Sequence, residues 1–106
     1  MLQPKAMASC RGLYYVYILT NRPNGTLYIG ITNNLTRRLF EHCQGTASRF
    51  TRRYNCTHLV WYETHTDVTE AILREKRLKK WRRAWKVELI EGMNPCWQDL
   101  NATVAM

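Results

Sequence analysis

Five side chains in this sequence are of the types that can break a phosphodiester bond: Tyr17, Tyr28, Arg38, His42 and Glu75. A phenol held near positive charge becomes more acidic than its ordinary pKa of about 10. It can then remove a proton from water while a second phenol orients that water. A guanidinium forks onto a phosphate and stabilises the charge that builds on its oxygens. His42, four residues after Arg38, can hold the phosphate or protonate the leaving oxygen. Glu75 can hold Mg²⁺ or Mn²⁺, because magnesium often takes only one or two carboxylates and keeps several waters.

Each residue also has a plainer reading. Tyrosines on a sheet face usually pack, with the hydroxyl at the edge. A helix arginine is usually exposed, and a lone helix histidine is usually incidental. Glu75 is the sharpest case. Ala71, Leu78, Trp85 and Leu89 form one stripe at about 100° per residue, and Glu75 falls inside it. A carboxylate at a core edge is costly unless it meets a cation. That cation is either a core-edge arginine or a divalent ion.

The positioning elements can be read from pattern. Tyr14 to Leu19 and Leu27 to Ile31 are rich in aromatic and β-branched residues, so both are strands. Asn24-Gly25 between them is the strongest short hairpin signal. An even-numbered turn puts Tyr15, Tyr17, Tyr28 and Gly30 on one side of the sheet and Val16, Ile18, Leu27, Ile29 and Ile31 on the other; a one-residue slip would separate the tyrosines. Thr32-Asn33-Asn34 offers N-caps for a helix in which Leu35, Leu39 and Cys43 make an apolar stripe, and Arg38 and His42 share the bordering face. Residues Gln44 to Asn55 are polar and aperiodic, which predicts a loop. His58 to Glu63 is a third strand. A second helix starts at Thr66 or Asp67, runs to about Trp81, continues from Arg83 to Glu91 with or without a kink, and ends at Gly92 before Pro95. Trp97 and Leu100 are expected to tuck back as a lid. The organisation expected is an N-terminal tail over 1–11, one domain over 12–100, and a disordered tail over 101–106.

The chain has 106 residues and 45% hydrophobic content, enough for one core. No apolar run approaches the roughly 18 residues that span a bilayer, so no membrane partner is expected. Four scattered cysteines lack metal-site spacing and are expected to be reduced thiols of a cytoplasmic protein. The net charge of +8 favours a polyanion, nucleic acid first. The basic loop carries Arg49, Thr51, Arg52, Arg53 and Tyr54, and the later helix carries Lys79 and Arg82 within a basic run. These residues, with Phe50 and Trp81 nearby, suit a phosphate backbone and unstacked bases.

The ordered set resembles the GIY-YIG nuclease family, named for two short signatures on a hairpin. The first reads Tyr15-Val16-Tyr17 here and the second Tyr28-Ile29-Gly30, with Arg38, His42 and Glu75 following in family order. Asn94, in Met93-Asn94-Pro95, looks like the asparagine near the end of many family domains, and is assigned with the substrate-binding residues. The resemblance covers about Gly12 to Leu100 and is nearest to the small stand-alone bacterial branch, in which Tyr15 replaces the first signature's glycine. Ile31 stands where some relatives carry a lysine. The resemblance implies an α+β fold, with a small three-stranded antiparallel sheet flanked by helices. It implies hydrolysis of DNA with one divalent ion, Tyr17 and Tyr28 activating water, Arg38 holding the phosphate and Glu75 binding the metal. The small, aromatic and basic groove leans towards single-stranded or branched DNA. The alternatives are a non-catalytic nucleic-acid-binding module and an RNA-directed nuclease.

Overall fold

In the computed structural model, which describes residues 12–102, the hairpin forms first in sequence and sits at the centre of everything else. Strand β1 (Tyr14–Thr20) pairs antiparallel with β2 (Leu27–Thr32) on one side and with β3 (His58–His65) on the other, giving the order β2-β1-β3. The connection is longer than a two-residue Asn24-Gly25 turn, because Thr20 pairs with Leu27 and residues 21–26 make the loop. Gly25 N–H donates to Arg22 O at 2.9 Å, Thr26 N–H donates to Asn21 Oδ1 at 3.1 Å, and Asn24 takes the left-handed region at φ 58°. The loop length is still even, so the facing holds. Tyr17 lies opposite Gly30 and Leu19 opposite Tyr28, which makes Tyr17 and Tyr28 diagonal neighbours on one face.

The two faces bury two different clusters. Val16, Ile18 and Ile29 meet Val60 and Trp61 of β3 on the first, under the helices α3 (Val68–Lys80) and α4 (Arg83–Met93). Ala71, Leu78, Ile90 and Trp97 complete that core. On the opposite face Tyr17, Leu19 and Leu59 meet Leu35 and Leu39 of α1 (Leu35–Gln44). A register shift between Ile18 and Leu19 in the β1–β3 ladder lets Val60 and Trp61 both serve the first cluster while Leu59 serves the second.

Local chemistry fixes the helix starts. Asn34 caps α1, its side chain accepting from Arg37 N–H, and Asp67 caps α3, accepting from Thr69 N–H. Gly45 closes α1 at φ 79°, where a Cβ would be strained.

Four expectations change. The predicted loop over Gln44 to Asn55 contains a short helix, α2 (Arg49–Tyr54), capped by Ser48 at its start and by left-handed Asn55 at its end; six residues are too few to show a period. Of the two forms open for the later helix, the kinked one is found, with Trp81 and Arg82 both extended, and the single stripe through Trp85 does not hold. The break resets the helical phase, so Trp85 is exposed and Ile90 takes the core position instead. Gly92 does not end α4, which runs on to Met93. Beyond it the chain is pinned to β3: Leu100 N–H donates to Leu59 O at 2.7 Å, and Asn101 Nδ2 donates to Thr57 O at 3.1 Å. Asn101 is therefore ordered, whereas residues 1–11 and 103–106 lie outside the described residues.

Candidate active site

The site grows from the diagonal tyrosine pair. The Tyr17 and Tyr28 rings lie 6.3 Å apart between centroids. A Cβ on Gly30 would come within 2.5 Å of the Tyr17 ring and hydroxyl, so the second signature's glycine makes the room in which Tyr17 lies across β2. From the opposite side α1 presents His42, 5.8 Å from the Tyr17 ring and 5.4 Å from the Tyr28 ring.

His42 is buried and bonded at both ring nitrogens: Nε2 lies 3.0 Å from the Tyr17 hydroxyl and Nδ1 lies 2.9 Å from Thr51 Oγ1. The Thr51 hydroxyl donates to Ser48 O at 3.2 Å. Its lone pairs therefore face His42, which sets the tautomer: Nδ1–H donates to Thr51, and Nε2 accepts the Tyr17 proton. Burial, then the charge of Arg38, lowers the His42 pKa from 6.5 to about 4, so the imidazole is neutral at pH 7.

Tyr17 differs from the expectation of an acidified phenol. Burial first, and Tyr28 second, raise its pKa above the ordinary value of 10, outweighing the lowering by Arg38; Glu75 and Glu41 raise it further. At rest it is a firmly protonated donor to His42. The same interactions place Arg38 and Glu75 within electrostatic reach of its hydroxyl.

Arg38 lies one turn before His42 on α1, and its charge acts on both His42 and Tyr17. Its Nε is shielded from solvent and has no hydrogen-bond partner; Glu41 Oε1 stands 3.6 Å away, an ion pair but too far for a good hydrogen bond. An unpaired buried donor of a charged group is costly, and an anionic ligand would relieve it. Glu75, with 13% of its side chain exposed, meets Lys79 Nζ at 2.7 Å through Oε2. The core-edge arginine that sequence offered as a partner is absent: Arg74 turns to Glu63, at 2.8 Å. Among the described residues no three His, Cys, Asp or Glu side chains converge as a metal cage. Glu75 fits only an ion that keeps most of its ligands as water and phosphate, which is the habit of magnesium. Such an ion would compete with Lys79 for Oε2 or take Oε1.

The predicted substrate-binding residues divide. Arg49, Arg52, Arg53 and Tyr54 are exposed on α2, and Lys79 and Arg82 are exposed at the end of α3 and just before α4. Arg82 lies over the Trp85 ring at 4.8 Å. Lys79 joins Leu27, Tyr28, Phe50 and Lys86 around a cleft of about 240 Å³ beside Tyr28. Thr51 and Asn94 are corrections. Thr51 is buried and serves His42. Asn94 is buried at the end of α4, where Nδ2 donates to Val60 O and Gln98 O and Oδ1 accepts from Gln98 N–H, leaving no group for a substrate. His42 is likewise not free to hold a phosphate while both nitrogens are bonded. His58 lines a separate cleft of about 520 Å³ with Phe40, Cys43 and Asn101, which holds none of the five site residues. The hold of Thr51 on His42 has no signal in the sequence, where Thr51 lies on a segment that reads as loop.

A three-stranded antiparallel sheet carrying a tyrosine pair, with an arginine and a histidine on one flanking helix and a glutamate on another, defines a small α+β domain. Residues 13–88 match the GIY-YIG catalytic domain, and the chain belongs to that family. A UPF0213 protein of Bacillus pumilus is 36% identical over 80 residues, covering 76% of this chain and 81% of that one. A UPF0213 protein of Clostridium perfringens is 40% identical over 78 residues, covering 74% and 83%. The solution NMR structure of a UPF0213 protein from Bacillus halodurans has the same fold, with a TM-score of 0.53 and 28% identity over 86% of this chain and 94% of that one. No described helix is long and apolar enough to cross a membrane.

Proposed function

We propose that this protein is a divalent-metal-dependent endonuclease that hydrolyses DNA. The observation that carries the reading is the Tyr17–His42 hydrogen bond at 3.0 Å, set beside an Arg38 Nε that has no hydrogen bond. A phosphate supplies what Arg38 lacks. With the phosphate on Arg38, the incoming water lies against the Tyr17 oxygen. The water's oxygen bonds to phosphorus as the bond from phosphorus to the leaving sugar oxygen breaks; its proton passes to the Tyr17 oxygen as the phenol's own proton moves to Nε2 of His42, and the leaving oxygen takes a proton from solvent. Thr51 holds the imidazole through Nδ1, and the negative charge of the phosphate on Arg38 favours the imidazolium that burial and Arg38 disfavour in the free protein. This route never requires a free tyrosinate, which the raised Tyr17 pKa disfavours. Tyr28 orients the water from the diagonal position. Glu75 would hold Mg²⁺ or Mn²⁺, which supplies positive charge to the phosphate oxygens. Arg38 stabilises the charge on the oxygens facing α1.

The Glu75–Lys79 ion pair favours one second reading, a binding module whose acid is already neutralised. Purified protein with labelled DNA and RNA strands, with Mg²⁺ or EDTA, separates the readings. The nuclease reading expects cleavage of DNA with Mg²⁺, loss in EDTA, and a fall of at least about a hundredfold for Glu75→Gln. Binding without cleavage on every strand, or equal cleavage by Glu75→Gln, defeats it; cleavage confined to RNA replaces the substrate.

A further inference from the structure

An aromatic path leads out of the site. From Tyr17 to Tyr28 is 6.3 Å between ring centroids, from Tyr28 to Phe50 is 5.9 Å, and from Phe50 to Tyr54 is 4.8 Å. Tyr17 is buried, Tyr28 is half-buried, and Phe50 and Tyr54 are each 41% exposed. Burial thus falls from Tyr17 through Tyr28 to the outer pair along a row of neighbouring rings.

The outer pair is held, not loose. Phe50 and Tyr54 are four residues apart on α2, so they stand side by side. Thr51, next to Phe50 and about 100° round the same helix, is fastened to His42. The platform is therefore tied to the reacting centre by one short bond. Single exposed aromatics need no explanation, but a touching pair continuous with an active-site tyrosine does.

The surroundings are cationic. Arg53 sits 5.6 Å over the Tyr54 ring, and Arg49 opens the helix. Lys79 and Lys86 line the same cleft as Phe50 and Tyr28. Apolar protein partners do not call for such a rim. A polyanion with flat apolar faces does, and nucleic acid is that polyanion. A base inside a duplex has both faces covered by its neighbours. Only an unpaired base can lay a face on Phe50 while its backbone reaches the site.

We propose that Phe50 and Tyr54 form a stacking platform for the base of an unpaired DNA nucleotide next to the bond that is cut. The proposal rests on the nuclease reading for the position of the phosphate, but not for the stacking itself. Phe50 and Tyr54 supply sequence-tolerant affinity, and Lys79 and Lys86 follow the backbone. The platform selects single strands, gaps and branch points over intact duplex.

The test is fluorescence anisotropy in EDTA with three labelled probes: an oligothymidylate, an oligomer of equal length built wholly from abasic nucleotides, and a blunt duplex. The wild-type protein is expected to bind the oligothymidylate at least about tenfold tighter than the abasic strand. Phe50→Ala and Tyr54→Ala are expected to lose most of that difference while binding the abasic strand as before, and Phe50→Trp to restore it. Circular dichroism confirms that each variant is folded. No discrimination by the wild-type protein, discrimination retained in both alanine variants, or tighter binding of duplex overturns the platform. The same protein is then given Mg²⁺. Absence of cleavage on every strand defeats the nuclease reading and leaves the anisotropy result standing; cleavage with an indifferent Phe50→Ala protein defeats the platform alone.

Discussion

The Tyr17 hydroxyl lies 3.0 Å from Nε2 of His42, and this bond joins the sheet to α1 at the one point where the site needs a proton to move. Thr51 holds the far nitrogen at 2.9 Å, so the imidazole cannot turn without breaking both bonds.

Thr51 acts through His42 and should not touch substrate. Thr51→Val keeps the shape and removes the acceptor for Nδ1–H. Roughly a tenfold fall in kcat, with KM unchanged, is expected, because the tautomer that accepts from Tyr17 is no longer enforced. Steady-state kinetics on a labelled strand reads the split. A raised KM with normal kcat would show that Thr51 binds substrate after all.

Acid should weaken the fold through His42. Its folded pKa of about 4 lies below the ordinary 6.5, so between those values the unfolded chain binds a proton that the folded chain refuses. Stability therefore rises with pH across that window. The contribution is complete above about pH 6.5 and lost as pH falls through about 4. Its full size is about 3 kcal/mol. Urea midpoints at pH 7, 5.5 and 4 measure it, and His42→Gln should flatten its share of the slope. An imidazole that titrates near 6.5 by NMR is incompatible with this account.

Arg38 combines functional need with structural cost. Its Nε is buried without a hydrogen bond, so Arg38→Ala should change stability by less than about 1 kcal/mol, in either direction. Activity should fall by about a hundredfold to a thousandfold. A parallel loss of stability of several kcal/mol in a thermal melt would make Arg38 a structural residue instead.

Gly30 should be intolerant of even one methyl group. A Cβ there meets the Tyr17 ring at 2.5 Å, and the ring can yield only by leaving His42. Gly30→Ala is expected to cost about 1–3 kcal/mol and to remove activity. Gly92→Ala is the control, since nothing lies within 4 Å of its Cβ and a helix favours alanine. Equal stabilities for the two variants in urea would contradict the close approach.

Much of this protein is determined by local pattern. Alternation over Tyr14–Thr20 and Leu27–Thr32 sets which side chains share a face, and that parity survives a turn longer than Asn24-Gly25 because the loop is still even. Asn34 and Asp67 start their helices through contacts within three residues, so capping is legible without a fold. The spacing of Arg38 and His42 places both on one helical face. Tertiary structure decided what these groups do to one another. A phenol's acidity depends on what buries it, and burial raised the Tyr17 pKa where a nearby arginine alone pointed the other way. The partner of Glu75 proved to be Lys79 rather than an arginine, the break at Trp81 turned Trp85 outwards, and Asn94 turned inwards to tie the chain end to β3. Thr51 became the anchor of His42 only because α2 packs beside α1. Spacing fixes directions along one element; distance, desolvation and hydrogen-bond partners across elements exist only once the elements have packed.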